Sequence, residues 1–232
     1  MKNLIYKECI IGLRTVGVLI VMLPIIQFVP TLLMSKEYLD SIKDAQVLNN
    51  VLANVIMYFP AMQIPMIGTI LFQAVINEER KQRILSVLFA NGVSPQNIWR
   101  SKVFTASVIA YILSLIGTFI GIMYSRIVYN IWISMSLWAI IQLLIIFPLV
   151  AMVLLNIICL IMWTYKNAQF FVGFIPAVSY LGCMYMNLFQ INIIFNYIIL
   201  GFIIMFVAVL IIYACGLIAG KTDKEHLIDM EV

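Results

Sequence analysis

Few residues in this chain can do chemistry, and most stand where chemistry is hard to build. The single histidine, His226, lies in a polar C-terminal stretch. A histidine metal site or a Ser-His triad within the apolar body therefore lacks its imidazole. The cysteines are Cys9, Cys159, Cys183 and Cys215, with no C-x-x-C pair, and three of them sit in apolar runs. They are expected to act as small buried hydrophobes. Gly216-Leu-Ile-Ala-Gly220-Lys221-Thr222 has the look of a phosphate loop, but only three residues separate its glycines. The nucleotide-binding loop needs four, between a strand and a helix. Here the run ends an apolar segment, so Gly220 reads as a helix terminus, and the chain is expected to have no ATP site of its own.

The elements that must position these residues belong to a membrane. Hydrophobic residues make up 64% of the 232 and charged residues 10%, with a mean hydropathy of +1.09. Soluble domains run to about 25% charged. Disorder requires low hydrophobicity and high charge, and a net charge of +4 is too small for a nucleic-acid binder. A membrane helix needs about 20 mostly apolar residues. Charge-free stretches place six all-α spans at 15–35, 51–76, 103–125, 135–163, 168–187 and 196–219. Tyr129 to Ile133 form an interfacial segment before the fourth. The polar cluster Asn187, Gln190, Asn192 and Asn196 marks the turn between the last two.

Residues 1–14 carry Lys2, Lys7, Glu8 and Arg14 and show no signal-cleavage pattern. They are expected to be retained as an inner amphipathic helix, with Ile5, Cys9 and Leu13 on one side. With both termini inside, eleven of the fourteen Lys and Arg residues fall on the inner side. Lys36, Lys43 and Arg126 are outside. Basic residues favour the cytoplasmic side, so the expectation is a multi-pass protein of the cell membrane with both ends cytoplasmic and a tail over 220–232.

Within the third span, Ser107, Ala110, Ser114, Gly117, Gly121 and Ser125 recur every three or four residues and share one helix face. Small faces let helices approach closely in lipid, within the subunit or at a dimer contact. Pro24, Pro30, Pro60, Pro65, Pro148 and Pro176 remove backbone donors. Asn54, Gln63, Gln73, Gln142, Asn156 and Gln169 are lone amides. They suit interhelical hydrogen bonds or a cargo pathway. No charged residue or histidine lies deep in any expected span. Proton coupling, voltage sensing and intramembrane hydrolysis thus lack the groups they need.

The one long charged stretch between spans is 77–102. It reads as two short helices. Glu78 and Glu79 open the first, where acids complement the helix dipole. Ile84, Leu85, Leu88 and Phe89 give it an apolar face, and Gly92 ends it. Ser94 caps the second, with Pro95 at its first position. Ile98 and Trp99 form its apolar side, and Lys102 marks the return to the membrane. Such a helix with an apolar face and charged rim can dock into a partner's groove.

This stretch resembles the loop between spans two and three of type-2 ATP-binding cassette (ABC) transporter permeases. The matching residues are Glu78 or Glu79, Arg80, Leu88, Ser94, Ile98 and Lys102. One departure is plain: Gly92 stands where that family commonly has proline, and Pro95 follows the serine instead. The resemblance covers about 25 positions, and only the six-span layout extends beyond them.

It implies the membrane half of an exporter. The loop would couple to a separate cytoplasmic ATPase dimer that holds ATP and Mg. A second permease subunit, identical or related, would complete the pathway. A hydrophobic or amphipathic cargo fits the apolar, aromatic-rich spans. Small permeases of this kind often serve toxic-peptide export or immunity in bacteria. A lipid-linked saccharide is the alternative cargo, and an ATPase-independent channel or carrier the alternative function.

Overall fold

The computed structural model describes residues 42–135, 137–165 and 198–229, together with Tyr6, Ile10, Arg14 and Gly17, each of these four helical. All regular structure among these residues is helical. Helix α1 runs over Ala45–Lys81, α2 over Ile84–Ala90 and α3 over Pro95–Tyr129. Then come a short α4 at Leu137–Ile141, a π-helical stretch at Gln142–Ile146, and α5 at Phe147–Thr164. Helix α6 spans Ile198–Gly220 and α7 spans Lys224–Asp229. Among the described residues, three segments are long and apolar enough to cross a membrane: Pro95–Tyr129, Gln142–Thr164 and Phe202–Gly220. The expected spans at 15–35 and 168–187, the apolar side of the N-terminal helix, and the polar turn at 187–196 lie outside the described residues.

Helices α1, α3, α5 and α6 pack around one core. Ile64, Ile67, Leu71 and Phe72 come from α1, Val103 and Ala110 from α3, Leu155 and Ile158 from α5, and Ala219 from α6. In lipid the drive to pack is contact rather than escape from water, so small residues matter. The stripe on α3 meets that need. Ser107, Ala110, Ser114, Gly117, Gly121 and Ser125 are all buried, and α1 is the main neighbour of α3. Two of its hydroxyls are satisfied along the helix: Ser114 donates to the Tyr111 carbonyl at 2.7 Å and Ser125 to that of Gly121 at 3.0 Å. The other side of α3 exposes Phe104, Val108, Ile112, Ile116 and Phe119. Gly68 brings α1 against α5. A Cβ there would overlap the Leu155 side chain, with Cδ1 at 2.8 Å.

The structure corrects the expected boundaries in four places. Helix α1 begins at Ala45 and carries Glu78 and Glu79 in its last turn, so these acids close a helix rather than open one. No breaking residue stands between Asn77 and Lys81, and the buried row of Leu71, Phe72, Val75 and Ile76 leads into Glu79. The second loop helix and the third span are a single helix of 35 residues, about 52 Å long. Lys102 does not end it, because its charge is paired inside the protein rather than held at a boundary.

The third correction concerns the expected helix at 135–163, which is interrupted by the π stretch ahead of Pro148. Proline has no N–H and its ring crowds the carbonyl four residues back, here that of Leu144. The Tyr111 hydroxyl of α3 donates to that same carbonyl at 3.0 Å, replacing the missing donor. The fourth is the tail. It contains α7, whose Leu227 is 1% exposed and joins the core. Asp223 starts α7 by accepting from the Glu225 N–H at 3.2 Å.

Candidate functional site: the clamped loop between two long helices

The candidate site lies where α1 ends, α2 turns and α3 begins. Arg83 adopts the left-handed conformation (φ 51°) and redirects the chain from α1 into α2. Ser86 Oγ donates to the Arg83 carbonyl at 2.7 Å and steadies that turn. Helix α2 ends in a Schellman motif. The Gly92 N–H donates to the Phe89 carbonyl at 3.0 Å and the Val93 N–H to that of Leu88 at 3.1 Å. Gly92 itself sits at φ 76°. Proline is locked near −65° and could not adopt this turn. A proline in place of Gly92 would therefore require a different turn here. Ser94 then caps α3: its Oγ accepts from the Asn97 N–H at 3.4 Å, with Pro95 in the first turn.

The two long helices that flank the loop are tied to each other by charge. Lys102 Nζ donates to Glu79 Oε2 across the α1–α3 contact, and both side chains are fully buried. Glu79 lies near a helix C-terminus, where the dipole disfavours an anion, so its ammonium partner is required. A buried pair like this adds little net stability. Removing one partner, however, strands a charge, at a cost of about 3–5 kcal/mol.

The structure brings most of the candidate residues together but gives them different work. Leu85 and Ile98 are 3% and 0% exposed, both within the core cluster. Leu88 is half-buried against the same cluster. The apolar face expected to meet a partner is therefore spent inside the chain, beside α7. Glu78 is half-buried and accepts from Gln82 Nε2. The Arg80 side chain lies outside the described residues. The residues turned outward along and around α2 are Gln82, Arg83, Val87, Ala90 and Asn91, with Val87 58% exposed.

Two features of the site differ from what the sequence leads one to expect. The first is the pairing of Glu79 with Lys102. They are 23 residues apart, and nothing local links them. The second carried a signal. Gly216 and Gly220, the glycines of the false phosphate loop, are a G-x-x-x-G pair on α6 that admits α3. A Cβ at Gly216 would stand 3.3 Å from Arg100 Nε, and one at Gly220 3.0 Å from Gln96 Cβ. Their spacing is the same small-residue signature seen on α3.

Among the lone amides, Gln63 is fully buried, and neither end of its amide has a hydrogen-bond partner among the described residues. Asn156 Nδ2 donates to the Met152 carbonyl at 2.7 Å. Asn54 and Gln169 lie outside the described side chains. Cys159 and Cys215 are buried free thiols. Among the described residues no group of His, Cys, Asp and Glu could hold a metal ion. No family model, curated protein or solved structure matches the chain.

Proposed function

We propose that this chain is the transmembrane permease subunit of an ABC exporter, with six spans and both ends in the cytoplasm of a bacterial cell. A separate ATPase dimer supplies ATP and Mg, and a second permease subunit completes the pathway. The cargo is hydrophobic or amphipathic, a toxic peptide or drug-like compound being the first choice and a lipid-linked saccharide the second. The observation that carries this reading is the loop. Its short helix is seated on the bundle by its apolar face and closed by the Gly92 turn, and the two long helices on either side of it are joined to each other by the Glu79–Lys102 pair. A push on such a helix passes to α1 and α3 as a rigid displacement instead of being lost in a slack loop. The free side of α2 then becomes the contact for the ATPase, in place of Leu85.

The test is co-purification of the chain with an ATPase from its native membrane, followed by cargo-stimulated ATP hydrolysis in vesicles. Arg83→Glu and Val87→Asp are expected to lower stimulation at least about tenfold while leaving thermal stability unchanged. Transport by the chain alone without ATP, or full stimulation in both variants, would overturn the reading.

A further inference from the structure

Between α3, α5 and α6 lies an open groove of about 490 Å³. This is within the range of about 300–1,000 Å³ typical of small-molecule sites. Its polarity is graded. Arg100 stands at one end, its guanidinium laid against Gly216, where the absence of a side chain makes the room. Among the described residues no acid pairs with Arg100. Beside it, Trp99 also lines the groove; it is 2% exposed and its indole N–H has no hydrogen-bond partner among the described residues. From there the walls turn apolar. Phe104 is one turn along α3 from Arg100, and Ile212 and Tyr213 are about one turn along α6 from Gly216. Asn156 lines the groove too, but its amide nitrogen is spent on the Met152 carbonyl. The stretch of α3 along the groove runs from Trp99 to Ser107, about 12 Å.

We propose that this groove is a binding site for one anionic phospholipid. Its phosphodiester pairs with Arg100, and one acyl chain lies along Phe104 and Ile212. Three observations select that occupant. A cation at the mouth with no acid set against it among the described residues calls for an anion, and a guanidinium matches phosphate oxygens bidentately. Among the described residues the walls beyond it carry no second charge, so the rest of the ligand is apolar. All three helices that border it include a segment long and apolar enough to cross a bilayer, so the groove opens where lipid is the solvent. The site does not depend on the permease reading and would hold for any membrane protein built this way.

The experiment uses the full chain purified in a neutral detergent and titrated with short-chain phosphatidylglycerol, phosphatidylcholine or inorganic phosphate, with the thermal midpoint as readout. Phosphatidylglycerol is expected to raise the midpoint saturably, and the other two are not. Arg100→Gln should weaken the phosphatidylglycerol response about tenfold or more, as expected for loss of a charged hydrogen bond. Arg100→Lys should restore part of it. Ile212→Trp, which fills the groove without touching Arg100, should abolish saturation. Equal responses to the two lipids, or a response indifferent to Arg100→Gln, would overturn the proposal. A response to inorganic phosphate equal to that of the lipid would do the same.

Discussion

The two ends of the bundle are held by different chemistry. At the loop end, Glu79 and Lys102 are fully buried and paired, and α7 packs Leu227 into the core beside α2. At the far end, α3 stops at Asn130, which takes the left-handed conformation (φ 54°). The chain that follows is joined to α1 by exposed, uncharged bonds. The Ser134 N–H donates to Asn49 Oδ1 at 3.0 Å, and Asn49 Nδ2 donates to Ser134 Oγ at 3.3 Å. Arg126 lies over the Trp132 ring, 5.2 Å from its centroid. A small satellite cluster around Leu48 and Leu52 backs this contact. The loop end thus stakes stability on groups that fail badly when unpaired, whereas the far end uses contacts that water can replace.

The sharpest way to break this contrast is to remove one partner of the buried pair. Glu79→Gln and Lys102→Met are each expected to destabilise the protein by about 3–5 kcal/mol. The double variant should recover much of that loss, because no charge is then left alone. Thermal unfolding of the three variants in detergent measures the coupling directly, and purely additive losses would show that the two side chains do not act as a pair. A middle-sized effect is expected at the helix contact beside the loop. Gly220→Leu would drive a side chain into Gln96 at a site with no room for it. Such overpacking costs about 1–3 kcal/mol, readable in the same melt. The smallest effect belongs to the far end. Asn49→Ala removes exposed hydrogen bonds and should cost about 0.5 kcal/mol or less. A loss there as large as at Glu79 would erase the distinction between the two ends.

Part of this arrangement is written in local signals. Ser94-Pro95 announces the start of α3, and Gly92 the stop of α2, because caps and left-handed turns are satisfied within a few residues. The small-residue stripe on α3 is legible for the same reason, since helical periodicity alone places those residues on one face. The end of α1 and the unbroken length of α3 are not. Glu78 and Glu79 suit a helix N-terminus by the dipole rule, and only a lysine 23 residues away makes a helix C-terminus tolerable for Glu79. Likewise Leu85 looks like a docking surface until α7 and the core are seen to occupy its face. The π stretch before Pro148 needs Tyr111, a residue of another helix, to donate to its freed carbonyl.

By itself, then, the sequence determined the solvent and the local stops. Where charge is scarce the helices are apolar enough to cross a membrane, and at Ser94-Pro95 and Gly92 a helix begins or ends. Both follow from composition and from interactions that reach no further than a turn or two. Only the tertiary structure decided which charges are buried and paired, which side of α2 is left free, and that Gly216 opens a place for Arg100. Those depend on which helices come to lie side by side, and burying a charge or an apolar face takes two surfaces that the chain holds far apart in sequence.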